Sequence, residues 1–347
     1  MKIEKQVIAN LTKCYSVAPL QFRGNSYFLV AAEKQDPCYL FDMEGHKVDT
    51  IWEGPGGVMS MVQVPGSDGI FLATQKFYSP NDSKEAEIAV VMPKGESWQV
   101  KTLVKLPHVH RFDILTRNGV NYLVACTLKS GHAYKNDWSS PGKIYAAVLP
   151  EHTELYEREE NLKLEILKEN LLKNHGYCRI VENGVEEGLI ASEDGIFRVI
   201  PPETKVGNWQ IEQLSREPAS DAVLVDMDED GEKELIYISP FHGNKICFCR
   251  KAGDTYQQVY CYDHADFAHA IYGGELLGKP AVVIGHREGS RDLLLFTYQK
   301  DQKQYQPEIL DHGCGSANVY RFAGDEKDIL ISANRETNEV AMYTLTE

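Results

Sequence analysis

Three histidines and one aspartate recur at matching places along the sequence. Each follows the residue that opens a recurring strand by 12 or 13 positions: His110 after Trp98, His175 after Leu162, Asp221 after Trp209 and His269 after Tyr256. Neutral imidazole nitrogens bind Zn, Mn or Fe well, and a carboxylate adds charge compensation. Taken singly, each histidine is better explained as a polar cap on a strand, but their shared position in four consecutive repeats favours a transition-metal site.

These residues recur because the chain is built on a repeat of about 47 residues. Repeat starts at Leu162, Trp209, Tyr256 and Tyr305 are 47, 47 and 49 residues apart, and the step from Trp98 to Leu162 is 64. Each unit contains four short runs of β-branched and aromatic residues separated by turn signals. Four antiparallel strands every 40 residues or so are typical of a β-propeller blade, with roughly four to eight blades in a ring.

The repeats predict seven inner strands, near Ser16, Val58, His110, His175, Asp221, His269 and Asn318. The last unit ends one strand short, and the N-terminal segment IEKQVIANL supplies a spare strand. We therefore expect an all-β, single-domain, seven-bladed β-propeller over residues 1–347, with the N-terminal strand closing the last blade. The 64-residue step predicts an insertion within 128–143 and 150–160. An outer strand is expected in 151–173, although its Glu, Leu and Lys content would also suit a helix.

Propeller topology predicts which face each residue occupies. The start of each inner strand and the loop between the second and third strands lie on the same face, where the central channel opens. Seven of the 11 histidines are predicted on this face: His108, His110, His132, His175, His242, His269 and His286. The candidate catalytic residues expected there are His132, Tyr177, His286, Arg287 and Arg111. Such a polar mouth suits a small anionic or polyhydroxylated substrate.

An acidic loop offers a second candidate cation site. Within the segment 226–234, the carboxylates of Asp226, Asp228, Asp230 and Glu234 take positions 1, 3, 5 and 9, with glycine at position 6. This spacing resembles the first half of an EF-hand loop and the calcium loop of FG-GAP (VCBS) propeller repeats. The loop joins a first strand to a second strand, so it should lie on the face away from the histidines. We predict a structural Ca²⁺ or Mg²⁺ there, with a solvated acidic turn as the alternative.

Composition excludes several classes of protein. Lys and Arg total 36 against 51 Asp and Glu, a net charge of −15, which disfavours binding to nucleic acid. No apolar stretch approaches the roughly 18 residues of a membrane helix, and the N-terminus lacks the apolar core of a signal peptide. We therefore expect a cytoplasmic protein without a membrane partner. The chain contains no GxSxG elbow and no glycine-rich loop entering a helix, which argues against a serine hydrolase and a nucleotide site.

Three features together resemble a known enzyme family: the NHG at Asn174–Gly176, the DMDEDG loop followed by ELIYISPFHGNKI, and the histidine-bearing inner strands. They are similar to the propeller domain of the aldos-2-ulose dehydratase family, whose members are sugar lyases and isomerases with a metal at the propeller mouth. The resemblance implies metal ligation by His110, His175 and His269, with Asp221 and His242 as further ligands. The family's C-terminal cupin domains have no counterpart in this sequence. Oligogalacturonate lyases are a looser match that favours an acidic sugar.

We therefore expect a metal-dependent carbohydrate lyase or dehydratase, or a sugar isomerase, acting on a keto- or uronic-type sugar. A divalent metal (Zn, Mn or Fe) would polarise a carbonyl and acidify the adjacent C–H, with His or Tyr as the base. The competing hypothesis is a non-catalytic propeller that binds a protein or glycan, which predicts a broad apolar patch on one face. A lactonase-type hydrolase would need carboxylate and Asn calcium ligands where this chain has mostly histidine.

Overall fold

The computed structural model describes residues 1–157, 162–324 and 326–347, and these form seven four-stranded antiparallel sheets arranged as the blades of a propeller. The N-terminal strand β1 spans Lys2–Asn10. Blade 1 contains β2 (Cys14–Phe22), β3 (Asn25–Ala32), β4 (Cys38–Asp42) and β5 (Lys47–Trp52). Blade 2 contains β6 (Met61–Gln63), β7 (Phe71–Gln75), β8 (Glu87–Lys94) and β9 (Ser97–Lys105). Blade 3 contains β10 (Val109–Arg117), β11 (Val120–Thr127), β12 (Gly142–Val148) and β13 (Glu165–Leu171).

The second half of the ring repeats the same order. Blade 4 contains β14 (Gly176–Glu182), β15 (Val185–Ser192), β16 (Gly195–Ile200) and β17 (Gln210–Ser215). Blade 5 contains β18 (Asp221–Val225), β19 (Glu234–Ser239), β20 (Lys245–Ala252) and β21 (Thr255–Tyr262). Blade 6 contains β22 (Ala268–Leu276), β23 (Lys279–His286), β24 (Leu293–Gln299) and β25 (Gln304–Asp311). Blade 7 contains β26 (Ser316–Ala323), β27 (Asp328–Asn334) and β28 (Glu339–Thr346).

The N-terminal strand closes the ring. β1 pairs antiparallel with β28, from Lys2 opposite Thr346 to Asn10 opposite Glu339, and so becomes the outermost strand of blade 7. The predicted fold, blade number and closing strand are therefore confirmed. Joining the two ends of the chain in one sheet removes the pairing edge that an incomplete last blade would expose.

The apolar core lies between neighbouring blades. The middle strand β27 is buried throughout and β3 is buried from Phe28 to its end, whereas the residues of the outer strands β17 and β25 are mostly exposed or half-buried. Phe28 of β3 stacks on Phe41 of β4 at 5.2 Å and also contacts Phe322 of β26 across the blade 1–blade 7 boundary. Middle strands are covered on both faces by adjacent blades, so they carry apolar residues on both.

The insertion in blade 3 follows the prediction where the structure describes it. A long loop runs from the end of β11 to the start of β12, and a 3-10 helix at Thr153–Glu157 precedes β13. The outer strand predicted in 151–173 is confirmed as β13. Residues 158–161, part of the predicted insertion, lie outside the described residues. Within the described ranges, no helix is long and apolar enough to cross a membrane.

Candidate functional site

β-Bulges aim side chains at one end of the channel. Tyr15, His110, His269 and Ala317 each lie at a register shift near the start of an inner strand, where the strand carries one residue more than its partner. His175 directly precedes β14 and reaches the same end of the channel. One aromatic side chain and three imidazoles from four blades therefore meet at the channel axis.

Four histidines form one contiguous cluster. The ring centroid of His175 lies 4.4 Å from that of His110, 5.2 Å from that of His269 and 4.9 Å from that of His242. His242 belongs to the loop between β19 and β20 and contacts His269 at 5.3 Å. The structure thus brings together four of the five residues predicted as metal ligands.

Backbone carbonyls of adjacent blades orient the imidazoles. His175 Nδ1 lies 2.9 Å from the carbonyl oxygen of Ser220, and His269 Nδ1 lies 2.8 Å from that of Ala317. His110 Nδ1 lies 3.2 Å from the carbonyl oxygen of His175. A carbonyl only accepts hydrogen bonds, so each Nδ1 carries the proton, and each Nε2 is left with a lone pair.

Three of these histidines offer nitrogens at metal-binding spacing. Ligand atoms of His175, His242 and His269 all lie within 4.8 Å of one another, and the Nε2 atoms of His175 and His242 are 3.4 Å apart. With Zn–N bonds of about 2.0–2.1 Å, two ligands of a tetrahedral site stand roughly 3.4 Å apart. The spacing and the freed lone pairs therefore fit a transition metal.

Burial keeps the cluster uncharged. It lowers the pKa of His175 to about 3, helped by the positive charge of Arg111, and it holds the pKa values of His110, His242 and His269 well below the usual range. Neutral imidazole is the form that binds metal, so no proton has to be displaced from these nitrogens at neutral pH.

Tyr15 is a member of the site that the sequence did not indicate. Its hydroxyl lies 3.0 Å from His269 Nε2 and 3.5 Å from His110 Nε2. Burial raises the pKa of Tyr15 to about 12, so the hydroxyl stays protonated and donates a hydrogen bond to His269 Nε2, a contact that a metal at this nitrogen would replace. The available signal was positional, because Tyr15 is the second residue of its inner strand, as His110 and His269 are of theirs.

Asp221 does not belong to the histidine group, contrary to its predicted role as a metal ligand. Blades 4 and 5 show no register shift between their first two strands, and the counterpart of His175 in blade 5 is Ser220. Asp221 therefore lies one residue further along the channel, where its carboxylate accepts the Ala222 N–H at 3.0 Å. Burial raises its pKa to about 7, although the nearby Arg111 opposes the shift.

A channel cavity begins beside the histidine cluster. It has a volume of about 560 Å³, and His269 is the member of the cluster that lines it. Its other lining residues follow the inner strands toward their far ends, including Arg111, Tyr177, Arg179, Asp221, Asn318 and Arg321. The prediction had placed Arg111 and Tyr177 at the loop-bearing mouth, whereas they line the channel on the opposite side of the cluster.

The other candidate catalytic residues stabilise the loops instead of meeting at one point. The ring of His132 packs edge-on against that of His108, with centroids 5.4 Å apart. His286 Nε2 accepts the Asp292 N–H at 3.0 Å, and its Nδ1 contacts the Glu288 carbonyl at 2.9 Å, so both nitrogens are used within one turn. Arg287 binds Glu336 at 2.9 Å. These three residues do not line the channel cavity with Arg111 and Tyr177, and their predicted catalytic roles stay a hypothesis.

The acidic loop brings together Asp226, Asp228 and Glu234, whose candidate ligand oxygens lie within 4.8 Å of one another. Arg250 occupies this group, pairing with Asp228 and lying 3.5 Å from Glu234. Asp226 accepts the N–H groups of residues 230 and 231 at 3.1 and 3.0 Å. The fourth predicted ligand, Asp230, lies outside the group.

Most of the remaining oxygens of this loop are also satisfied. Glu234 accepts the Tyr305 hydroxyl at 3.0 Å and the Met227 N–H at 2.8 Å. Asp228 Oδ1 is buried without a hydrogen-bond partner in the described part of the chain. Arg250 offsets one of the three carboxylate charges of this group, and the Ca²⁺ or Mg²⁺ site stays a prediction.

Comparisons with known proteins support the propeller fold. The chain is similar to the β-propeller domain of Cps50 (Swd1) from Myceliophteria thermophila, with a TM-score of 0.60 at 9% identity over 99% of this chain and 100% of that one. It is also similar to a streptogramin B lyase, with a TM-score of 0.57 at 13% identity over 98% and 97% of the two chains. A Dos1 propeller gives a TM-score of 0.55 at 7% identity over 92% and 76%.

No protein-family model matches the sequence, and no curated protein matches it. Identities of this size show a shared fold and nothing about a shared reaction. The molecule is therefore a seven-bladed β-propeller, and the resemblance to the aldos-2-ulose dehydratase and FG-GAP families stays a hypothesis.

Proposed function

We propose that this propeller is a metal-dependent carbohydrate lyase or dehydratase, or a sugar isomerase, acting at the histidine end of its channel. The observation that carries the proposal is the convergence of three neutral imidazoles, His175, His242 and His269, beside a cavity. Their unprotonated nitrogens would hold a divalent metal, with Zn, Mn and Fe as the candidates. Bound there, such a metal supplies Lewis-acid polarisation of a substrate carbonyl.

The chain's own residues supply the proton transfers. In a dehydration, a proton leaves the carbon next to the carbonyl, the neighbouring C–O bond breaks, and the departing oxygen takes up a proton. Asp221 lines the cavity, and its pKa of about 7 suits both removal and return of a proton at neutral pH.

The cavity suits the predicted substrate class, a small sugar or sugar acid of the keto or uronic type. Its volume of about 560 Å³ is within the range of small-molecule sites. The sequence resemblance to sugar dehydratase propellers supports the same class. All eight cysteines are free thiols, which supports the proposed cytoplasmic location.

The test combines metal analysis with a substrate screen. We expect about one equivalent of a transition metal in the purified protein, loss of turnover on chelation, and recovery when that metal is restored. Keto sugars and uronates are screened for loss of water, for an unsaturated product or for isomerisation. His242→Ala should lose the metal and the activity, while His264→Ala, which changes an exposed histidine, should keep both. A protein that carries no transition metal and binds none added would contradict the proposal.

A further inference from the structure

One guanidinium in the channel lacks a carboxylate partner. Arg111 donates from Nη1 to the Met59 carbonyl at 2.8 Å, while its Nε is buried without a hydrogen-bond partner. Among the described residues, no carboxylate oxygen lies within 4.0 Å of it. A buried charged donor left unpaired is costly, and this cost is recovered when a ligand supplies the missing acceptor.

The neighbouring arginines of the cavity show the contrast. Arg179 pairs with Asp113, and its Nη1 also lies 3.5 Å from Glu186. Arg321 pairs with Asp328 through Nε at 2.9 Å and Nη2 at 2.7 Å. Both guanidinium groups are neutralised by protein carboxylates, so Arg111 supplies the uncompensated positive charge in this part of the lining.

We propose that Arg111 binds the carboxylate of the substrate, so that the channel takes a sugar acid in preference to a neutral keto sugar. This inference rests on the proposed function and narrows its substrate class. A guanidinium binds a carboxylate through two parallel N–H···O bonds, which fixes the orientation of the ligand as well as its charge. Asp221 and Asn318 line the same cavity and offer hydrogen-bonding groups to sugar hydroxyls.

The position of Arg111 predicts where the substrate carboxylate would lie relative to the histidine cluster. Arg111 follows His110 directly in β10, and its Cζ lies 5.7 Å from the ring centroid of Tyr15. His269, which contacts the Tyr15 hydroxyl, lines the same cavity. A carboxylate held by Arg111 would therefore lie at the inner end of the channel, close to the histidine cluster, with the rest of the sugar toward the far end.

The experiment measures binding of D-glucuronate and D-glucose by calorimetry, because these probes differ only at the terminal carbon. Binding is measured on chelator-treated protein, so that it does not depend on the metal. We expect glucuronate to bind at least about 10-fold more tightly than glucose, and Arg111→Gln to remove that preference. Arg111→Lys should weaken glucuronate binding by several-fold, because it keeps the charge but loses the two-pronged contact.

The matched control is Arg198→Gln, which changes an arginine outside the cavity lining that pairs with Glu212 and should leave glucuronate affinity unchanged. If Arg111→Gln does not fold, Arg111→Lys decides the result. Equal affinity for glucose and glucuronate, or unchanged glucuronate binding in the Arg111 variants, would overturn the inference. Inorganic phosphate binding as tightly as glucuronate would also overturn it, in favour of a general anion site.

The two proposals fail separately. A protein that binds a transition metal but does not prefer glucuronate keeps the proposed function and loses this inference. A protein that binds glucuronate through Arg111 but takes up no metal keeps the anion site and loses the proposed function.

Discussion

The histidine cluster and the acidic loop are both groups of three potential metal ligands, each with candidate ligand atoms within 4.8 Å of one another. In the cluster, carbonyls bind the Nδ1 atoms of His175 and His269, so their Nε2 atoms carry lone pairs, and that of His269 accepts the Tyr15 hydroxyl at 3.0 Å. In the loop, the carboxylates of Asp228 and Glu234 already face Arg250. Proximity of ligand atoms is therefore common to both regions, and the availability of lone pairs separates them.

Charge separates the two regions as well. The imidazoles of the cluster are neutral because burial lowers the pKa values of His175, His242 and His269. Carboxylates brought together carry a net negative charge that favours a cation beside them, and in the loop an arginine offsets part of this charge. A metal would displace only a neutral hydroxyl, that of Tyr15, from the first arrangement, whereas it would have to displace a charged arginine from the second.

The largest expected effect is on metal affinity within the cluster. His269→Ala should weaken Zn²⁺ binding by more than about 100-fold, because loss of a ligand exceeds the effect of losing an outer partner. His110→Ala is the matched control, since it removes a buried histidine of the same cluster that lies outside the group of three. Its affinity should stay within about 10-fold of the wild type. Equal losses in the two variants, measured by competition with a chelator, would mean that the group of three is not the ligand set.

The second-largest expected effect is on the stability conferred by the ion pairs of the acidic loop. Arg250→Met should lower the free energy of unfolding by about 1–3 kcal/mol, a range reduced from that of a fully buried pair because the arginine side chain is 40% exposed. Ca²⁺ should raise the Tm of this variant and leave that of the wild type unchanged, since in the wild type the Arg250 side chain holds the place between Asp228 and Glu234. A wild-type Tm that rises with Ca²⁺ would show that the loop binds the ion despite Arg250.

The third expected effect is on the pH dependence of stability, and it concerns Asp221, a carboxylate that belongs neither to the histidine cluster nor to the acidic loop. Asp221 is buried without a cation within 4.0 Å in the part of the chain that the structure describes, and its pKa is raised to about 7. A raised carboxyl pKa means that the folded state binds more protons than the unfolded state, so wild-type stability rises as pH falls from about 7 toward 4. Asp221→Asn should therefore be stabilising by about 1–2 kcal/mol at pH 8 and less so at pH 5.

Chemical denaturation of the two proteins at both pH values measures this effect. A stability difference that does not change between pH 5 and pH 8 would contradict the raised pKa. The carboxylate of Asp228, which pairs with Arg250, provides the opposite case. Asp228→Asn should destabilise the fold at both pH values, because it weakens an ion pair that is present in each.

The repeat predicted most of the architecture because each blade must bury the same pattern of strands against its neighbours. The four histidines that meet, His110, His175, His242 and His269, were likewise predictable from their places in that repeat. Asp221 was misplaced because spacing along the chain does not reveal a bulge, and blades 4 and 5 lack the register shift present in blades 3 and 6.

The sequence pattern could not predict which groups each polar side chain contacts in the folded protein. Both nitrogens of His286 are used within its own turn, and Arg287 pairs with Glu336, a residue 49 positions away. Arg250 fills the acidic loop from a neighbouring strand, 22 positions after Asp228. Residue type suggested chemistry at each of these positions, but tertiary contacts decide whether a polar group is free to act.

The most direct test is a crystal structure of the protein grown with Zn²⁺ and measured at the zinc absorption edge. The account predicts one strong anomalous peak at about 2.1 Å from nitrogens of His175, His242 and His269, and none in the acidic loop. A peak at Asp226 and Asp228 with none between the histidines would contradict it, as would a structure in which His242 donates a hydrogen bond to His175 and no metal binds.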